Sequence, residues 1–253
     1  ELLTVNDRGA TLYRIQFRAQ TNAADLIPVP DYFASVQLAA LSGHLPDRYD
    51  CEGLAQDEQG RLYVCVEGNR WVLRCDPQTK KVERLNIDWS PVQKYFHPTD
   101  RNASFEGIAI GGGRLYLANE RRRGRVIAVD LPTLRVEDDF SVRPSGSRAR
   151  DLDYSDLSWF DGALFVLLRE SRCVLAVDPA SHRVLAEYNF RPLEEQPEIR
   201  YRTLYPTGTM EGLAVERDFI WLVTDNNGLG RVRHPRDIRP TLFKCKRTEW
   251  KSP

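Results

Sequence analysis

The chain has 253 residues and balances 36 Lys plus Arg against 36 Asp plus Glu, for a formal net charge of +0. That balance excludes a global field drawing the protein to nucleic acid or anionic lipid. No apolar stretch reaches the roughly 18 residues needed to span a bilayer.

From the N-terminus, Glu1-Leu2-Leu3-Thr4-Val5-Asn6 reads as a strand and not as a leader, so either an exported precursor has been trimmed or the sequence starts late. Thr11-Leu12-Tyr13-Arg14-Ile15 reads as a second strand. After an insert over 21–50 comes a phrase that recurs: Glu52-Gly53-Leu54-Ala55, Glu106-Gly107-Ile108-Ala109 and Glu211-Gly212-Leu213-Ala214, with a weaker copy at Ser155-Asp156-Leu157-Ser158. The starts fall 54, 49 and 56 residues apart. Each leads into an aliphatic-aromatic strand: Leu62-Tyr63-Val64, Leu115-Tyr116-Leu117, Leu164-Phe165-Val166 and Ile220-Trp221-Leu222. In three copies a third strand follows and ends in an Asp/Pro turn, at Asp76-Pro77, Asp130-Leu131-Pro132 and Asp178-Pro179. Fourth strands begin near Val82, Val136 and Val184.

A supersecondary unit repeating at this length, without a helix-period stretch, predicts an all-β fold of four-stranded antiparallel blades. Five blades are expected, with six as the alternative, in a single domain spanning 1–253. They cover roughly 1–50, 51–104, 105–153, 154–209 and 210–253. The first is truncated: Leu2–Asp7 aligns with Leu115–Glu120, which puts its inner strand before Glu1. The 241–250 stretch is the candidate outer strand of the fifth. Inserts over 21–50, 88–104 and 191–209 are either decorations or walls of a binding site.

The first strand of each blade lies nearest the axis, so Glu52, Glu106, Ser155 and Glu211 are expected to converge there. Gly53, Gly107 and Gly212 suit crowding between adjacent blades. Converging, half-buried carboxylates repel and lose solvation. A hard divalent cation relieves both, and calcium, which accepts irregular all-oxygen coordination, is the expected metal at these four residues. The competing reading is that each glutamate pairs with an arginine or faces water. A second ring, at the ends of the second strands, comprises Asp7, Glu67, Glu120, Arg169 and Asp225. Beside it stand Asn6, Arg8, Asn119, Arg121, Glu170, Asn226 and Asn227. Taken singly these are ordinary hairpin-turn residues; together they form a polar bowl suited to a small anionic ligand. Arg121-Arg122-Arg123 reads as a solvated hairpin tip, and the five cysteines, without CxxC or metal spacing, as buried apolar residues.

The repeated Glu-Gly-Leu-Ala, its following Leu-Tyr strand and the Asn-Glu-Arg or Asp-Arg-Gly ends resemble the phytase-like propeller family (esterase-like activity of phytase). They are also similar to the SdiA-regulated propellers. The resemblance runs from Leu2 to about Arg233 and implies an exported bacterial protein, periplasmic or secreted, often with calcium near the axis. More distantly, Glu52, Glu106, Ser155 and Glu211 resemble the axial calcium ligands of calcium-activated nucleotidases.

Three functions compete. In the first, a calcium-dependent hydrolase of phosphate or carboxylic esters uses Glu120, Arg169 and Asp225 for catalysis. Asp7, Arg8, Glu67, Asn119, Arg121, Glu170 and Asn226 then bind substrate. In the second, calcium only staples a non-catalytic binding propeller. The third is a sugar-lactone hydrolase. A monomer without nucleic-acid partners is expected in each.

Overall fold

The computed structural model describes residues 1–6, 10–30, 32–42, 49–100, 103–120, 124–147, 152–203 and 208–248. It contains five antiparallel sheets, taken in chain order. Blade I is β1 (Leu2–Val5), β2 (Leu12–Phe17) and β3 (Ala24–Pro28). Blade II is β4 (Cys51–Gln56), β5 (Leu62–Val66), β6 (Trp71–Cys75) and β7 (Val82–Arg84). Blade III is β8 (Phe105–Gly111), β9 (Arg114–Asn119), β10 (Arg125–Asp130) and β11 (Arg135–Phe140). Blade IV is β12 (Tyr154–Phe160), β13 (Ala163–Leu168), β14 (Cys173–Asp178) and β15 (Arg183–Asn189). Blade V is β16 (Met210–Val215), β17 (Phe219–Thr224) and β18 (Leu242–Lys246). The architecture is a five-bladed β-propeller.

In blades II to V the second strand is largely apolar on both faces because blades stack on either side of it. All of β5 and β13 is buried. Four hydrophobic layers result, between consecutive blades from I–II to IV–V. Blades V and I meet through Phe17 and Trp221, whose rings lie 5.5 Å apart. Cys51, Cys65, Cys75 and Cys173 are buried thiols, as their apolar neighbours in the sequence imply.

The inserts fold against this frame. α1 (Ser35–Ser42) covers the I–II layer. Its Gln37 side chain donates to the Lys80 carbonyl at 2.9 Å and accepts from the Val82 N–H at 2.7 Å, closing the edge of β7. A 3₁₀ turn at Ser90–Tyr95 and α2 (Arg191–Glu194) occupy the other two.

At the axis the inner strands approach closely. A Cβ on Gly107 would lie 2.4 Å from the Asp156 Cα in the next blade, and one on Gly53 would lie 2.8 Å from the Ile108 nitrogen. Only glycine lets these backbones touch. Gly212 differs, since the atom its Cβ would meet is Val223 Cγ1 of its own blade.

Candidate metal centre at the axial mouth

The recurring acidic phrase has a backbone counterpart. In blade II the ladder pairs Cys51 with Val66 and then Gly53 with Cys65, leaving Glu52 as an extra residue. The same irregularity leaves out Glu106 in blade III, Ser155 in blade IV and Glu211 in blade V. A β-bulge bends the strand and re-aims the residue it leaves unpaired. Four bulges at equivalent positions therefore set four side chains at one level.

A second contribution returns to that level from the end of each second strand. The N–H groups of Glu67, Glu120, Arg169 and Asp225 donate to the carbonyls of Asp50, Ser104, Asp153 and Thr209, at 2.8, 2.9, 3.3 and 2.9 Å. Each acceptor lies two residues before its bulge. The ligand oxygens of Asp50, Glu52 and Glu67 lie within 4.8 Å of one another, as do those of Glu67, Glu106 and Glu120. Glu67 belongs to both groups and accepts from the Ser104 N–H at 3.1 Å.

The other side of the mouth carries its own cation. Arg169 Nη2 lies 2.5 Å from Asp153 Oδ2 and 3.0 Å from Glu120 Oε1, and Nη1 bonds Glu211 Oε1. Burial lowers the guanidinium pKa, but Glu211 and Asp153 outweigh it and hold the group above its already high value.

Protonation reflects the crowding. Burial, then Asp50 and Glu67, push Glu52 up to about 9. Burial raises Glu67 to about 7 despite hydrogen bonds from Glu106 and the Ser104 N–H. Burial and the charges of Glu120, Glu67 and Glu52 push Glu106 up to about 11. Glu211 sits at about 7, because burial outweighs Arg169.

The donor set fits a hard cation. All the groups brought together are oxygens, several of them carboxylates, as calcium prefers. Two further oxygens at the mouth have no hydrogen-bond partner among the described residues: Ser104 Oγ, on a fully buried residue, and Asp153 Oδ1. Buried polar atoms are seldom left this way without an ion or water to satisfy them.

Residues 1–228 match the model of the phytase-like family, described as esterase-like activity of phytase. The chain belongs to this family. No curated protein sequence matches it. Among solved structures, the glutaminyl cyclase of Myxococcus xanthus superposes with a TM-score of 0.57 at 16% identity, covering 96% of this chain and 84% of that one. A virginiamycin B lyase from Staphylococcus aureus gives 0.46 at 13% identity, over 96% and 68% of the two chains. Sqt1 of Saccharomyces cerevisiae gives 0.47 at 8%, over 94% and 67%. At these identities the likeness is one of fold.

In this phytase-like propeller, Glu52, Glu67, Glu106, Glu120, Arg169 and Glu211 gather at the mouth. Ser155 is buried there, and its hydroxyl donates to the Met210 carbonyl at 3.2 Å. Asp225 is exposed at the rim, where its charge reaches Glu211. Asn119 is buried at the end of β9, and Glu170 faces solvent. Asn226 turns into its own loop and donates to the carbonyls of Leu229 and Ile238 at 2.5 and 3.0 Å. Asp7, Arg8 and Arg121 lie outside the described residues. Sequence reasoning missed Asp50 and Asp153. Their signal was present two residues before each bulge, where Asp50, Ser104, Asp153 and Thr209 all bear a side-chain oxygen.

Proposed function

We propose that this phytase-like propeller binds calcium at its axial mouth and uses that centre to hydrolyse a small anionic ester, phosphate or carboxylic. The observation that carries the reading is the convergence of Asp50, Glu52, Glu67, Glu106 and Glu120 beside the Ser104 hydroxyl, which has no hydrogen-bond partner among the described residues. These residues, with Glu211 and the Ser155 oxygen across the mouth, would hold the ion. Bound there, calcium would supply Lewis-acid polarisation of an ester oxygen. Glu120, oriented by Arg169, and the exposed Asp225 are the carboxylates that would position water. Asp7, Arg8, Arg121 and Glu170 remain assigned to the substrate rim. The family supports an exported protein, periplasmic or secreted, and we take it to act as a monomer.

A second reading is favoured by one contact set. Arg169 is fully engaged with Glu211, Asp153 and Glu120, which leaves it little capacity to receive a substrate anion. Calcium would then staple the blades of a non-catalytic binding propeller.

Calorimetric titration of chelator-treated protein with calcium tests the first step. Saturable binding that weakens at least tenfold in Glu106→Gln is expected; no heat and no rise in Tm overturns the calcium assignment. Chromogenic carboxylic and phosphate esters test the second. Calcium-dependent turnover lost in Asp225→Asn at unchanged Tm supports the hydrolase. Calcium binding with no turnover of any ester leaves the staple.

A further inference from the structure

The chain leaves β17 at Thr224 and returns in β18 at Leu242. The equivalent hairpins in blades II and IV need only four residues, 67–70 and 169–172, between their strands. Most of this longer connection also lies beyond residue 228, where the family match ends.

The loop is built on a fixed base. Asn226 bonds two of its carbonyls. Arg231 reaches Asp237 Oδ2 at 3.1 Å, the Ile199 carbonyl at 3.0 Å and Thr241 Oγ1 at 2.8 Å, with its guanidinium 4.9 Å from the Tyr201 ring centroid. The Tyr201 hydroxyl donates to the Arg239 carbonyl at 2.6 Å. Gly230 passes so close that an added Cβ would lie 1.9 Å from the Pro235 carbonyl oxygen.

On this base residues 233–239 form an open concavity of about 890 Å³. Arg233, His234, Arg236 and Arg239 line it. Arg233 and His234 share Glu198, and Arg231 and Arg239 share Asp237, so four guanidiniums meet two carboxylates and the loop keeps a positive excess centred on Arg236. Arg236 has no carboxylate partner among the described residues. Pro235 and Ile238 supply an apolar part of the lining, and Ile238 is 55% exposed.

We propose that this loop binds the phosphate group of an anionic ligand, either a soluble phosphate or a phospholipid headgroup, independently of the axial mouth. Guanidinium forks match phosphate oxygens, and a base already rigid lowers the ordering cost of binding. The apolar lining accommodates the body that carries the phosphate.

The test uses the whole chain in chelator, so that the acidic mouth holds no calcium and repels anions. Glycerol phosphate is titrated calorimetrically. In parallel, vesicles of phosphatidylcholine, with or without phosphatidylglycerol, are sedimented with the protein. Saturable binding in either arm is expected, lost with rising salt and weakened about tenfold or more in Arg236→Ala. The arm that responds identifies the source of the phosphate. Arg236 is exposed and has no carboxylate partner among the described residues, so its removal should leave Tm unchanged; Arg233→Ala, which also releases Glu198, gives a second reading if Tm does move. No binding in both arms overturns the proposal, and so does binding that survives both substitutions. Either result leaves the calcium assignment untouched, because the calcium titration is a separate measurement.

Discussion

The two sides of the axial mouth treat the same problem differently. On the blade IV–V side, Asp153 and Glu211 share the Arg169 guanidinium, which also touches Glu120. On the blade II–III side, Asp50, Glu52, Glu67 and Glu106 crowd together, and Glu52 and Glu106 are pushed up the furthest. One side shares a guanidinium; on the other the carboxylates hold their protons well above the ordinary carboxylate range. Blade IV is the switch between them, since it places Arg169 where blades II and III place Glu67 and Glu120, and Ser155 where they place glutamates.

The largest effect should come from abolishing the difference. Arg169→Ala leaves Asp153, Glu211 and Glu120 largely buried and uncompensated, and should cost about 3–5 kcal/mol in urea unfolding of chelated protein. Calcium should restore part of that loss. Partnering Arg169 with nothing at unchanged stability would show that the two sides are not electrostatically distinct.

Next is pH. The folded pKa values of Glu67, Glu211 and Glu52 lie above the ordinary carboxylate value, so the folded protein holds protons that the unfolded chain has released. The stability they contribute is complete below about pH 4.5. It is lost as pH rises through about 7 for Glu67 and Glu211 and about 9 for Glu52. Chelated protein should therefore melt at falling temperature between about pH 5 and 9, and saturating calcium should flatten that slope. A Tm that rises over this interval without calcium contradicts the crowding.

A smaller effect tests the inter-blade joint. Asp156 occupies the position that Gly53, Gly107 and Gly212 hold elsewhere, and it accepts from the N–H groups of Leu157 and Leu213 at 2.7 Å each. Asp156→Ala leaves those donors without their acceptor and should cost about 1–3 kcal/mol in denaturant unfolding. The smallest effect has the opposite sign. Glu106→Gln keeps the shape and removes the cost of protonating this carboxyl on folding, so chelated protein should gain about 1 kcal/mol at neutral pH while calcium binding weakens. A stabilised variant that still binds calcium normally would remove Glu106 from the ligand set.

Much of the mouth was legible because its residues repeat. The Glu-Gly phrase and the strand that follows it each keep step through the chain, so Glu52, Glu106 and Glu211 could be aligned without a structure. The inner-strand glycines could be read for crowding, which Gly53 and Gly107 bear out. Asp50 and Asp153 were harder to see because the position two before the bulge varies in residue type and shares only a side-chain oxygen. Asn226 looked like a rim residue, but its amide serves the loop that follows. That loop has no counterpart in the other blades, so no repeat could expose its fold.

By itself the sequence determined the ring: alternating apolar strands, Asp/Pro turns and the blade-length period leave few other ways to bury so many second strands. Which charges meet was decided only by the tertiary structure. Arg169 lies 49 residues from Glu120 and 42 from Glu211, and closes on both because bulges and strand ends from different blades return to one level. Pairing across such separations depends on blade rotation about the axis, a quantity that no local stretch of chain encodes.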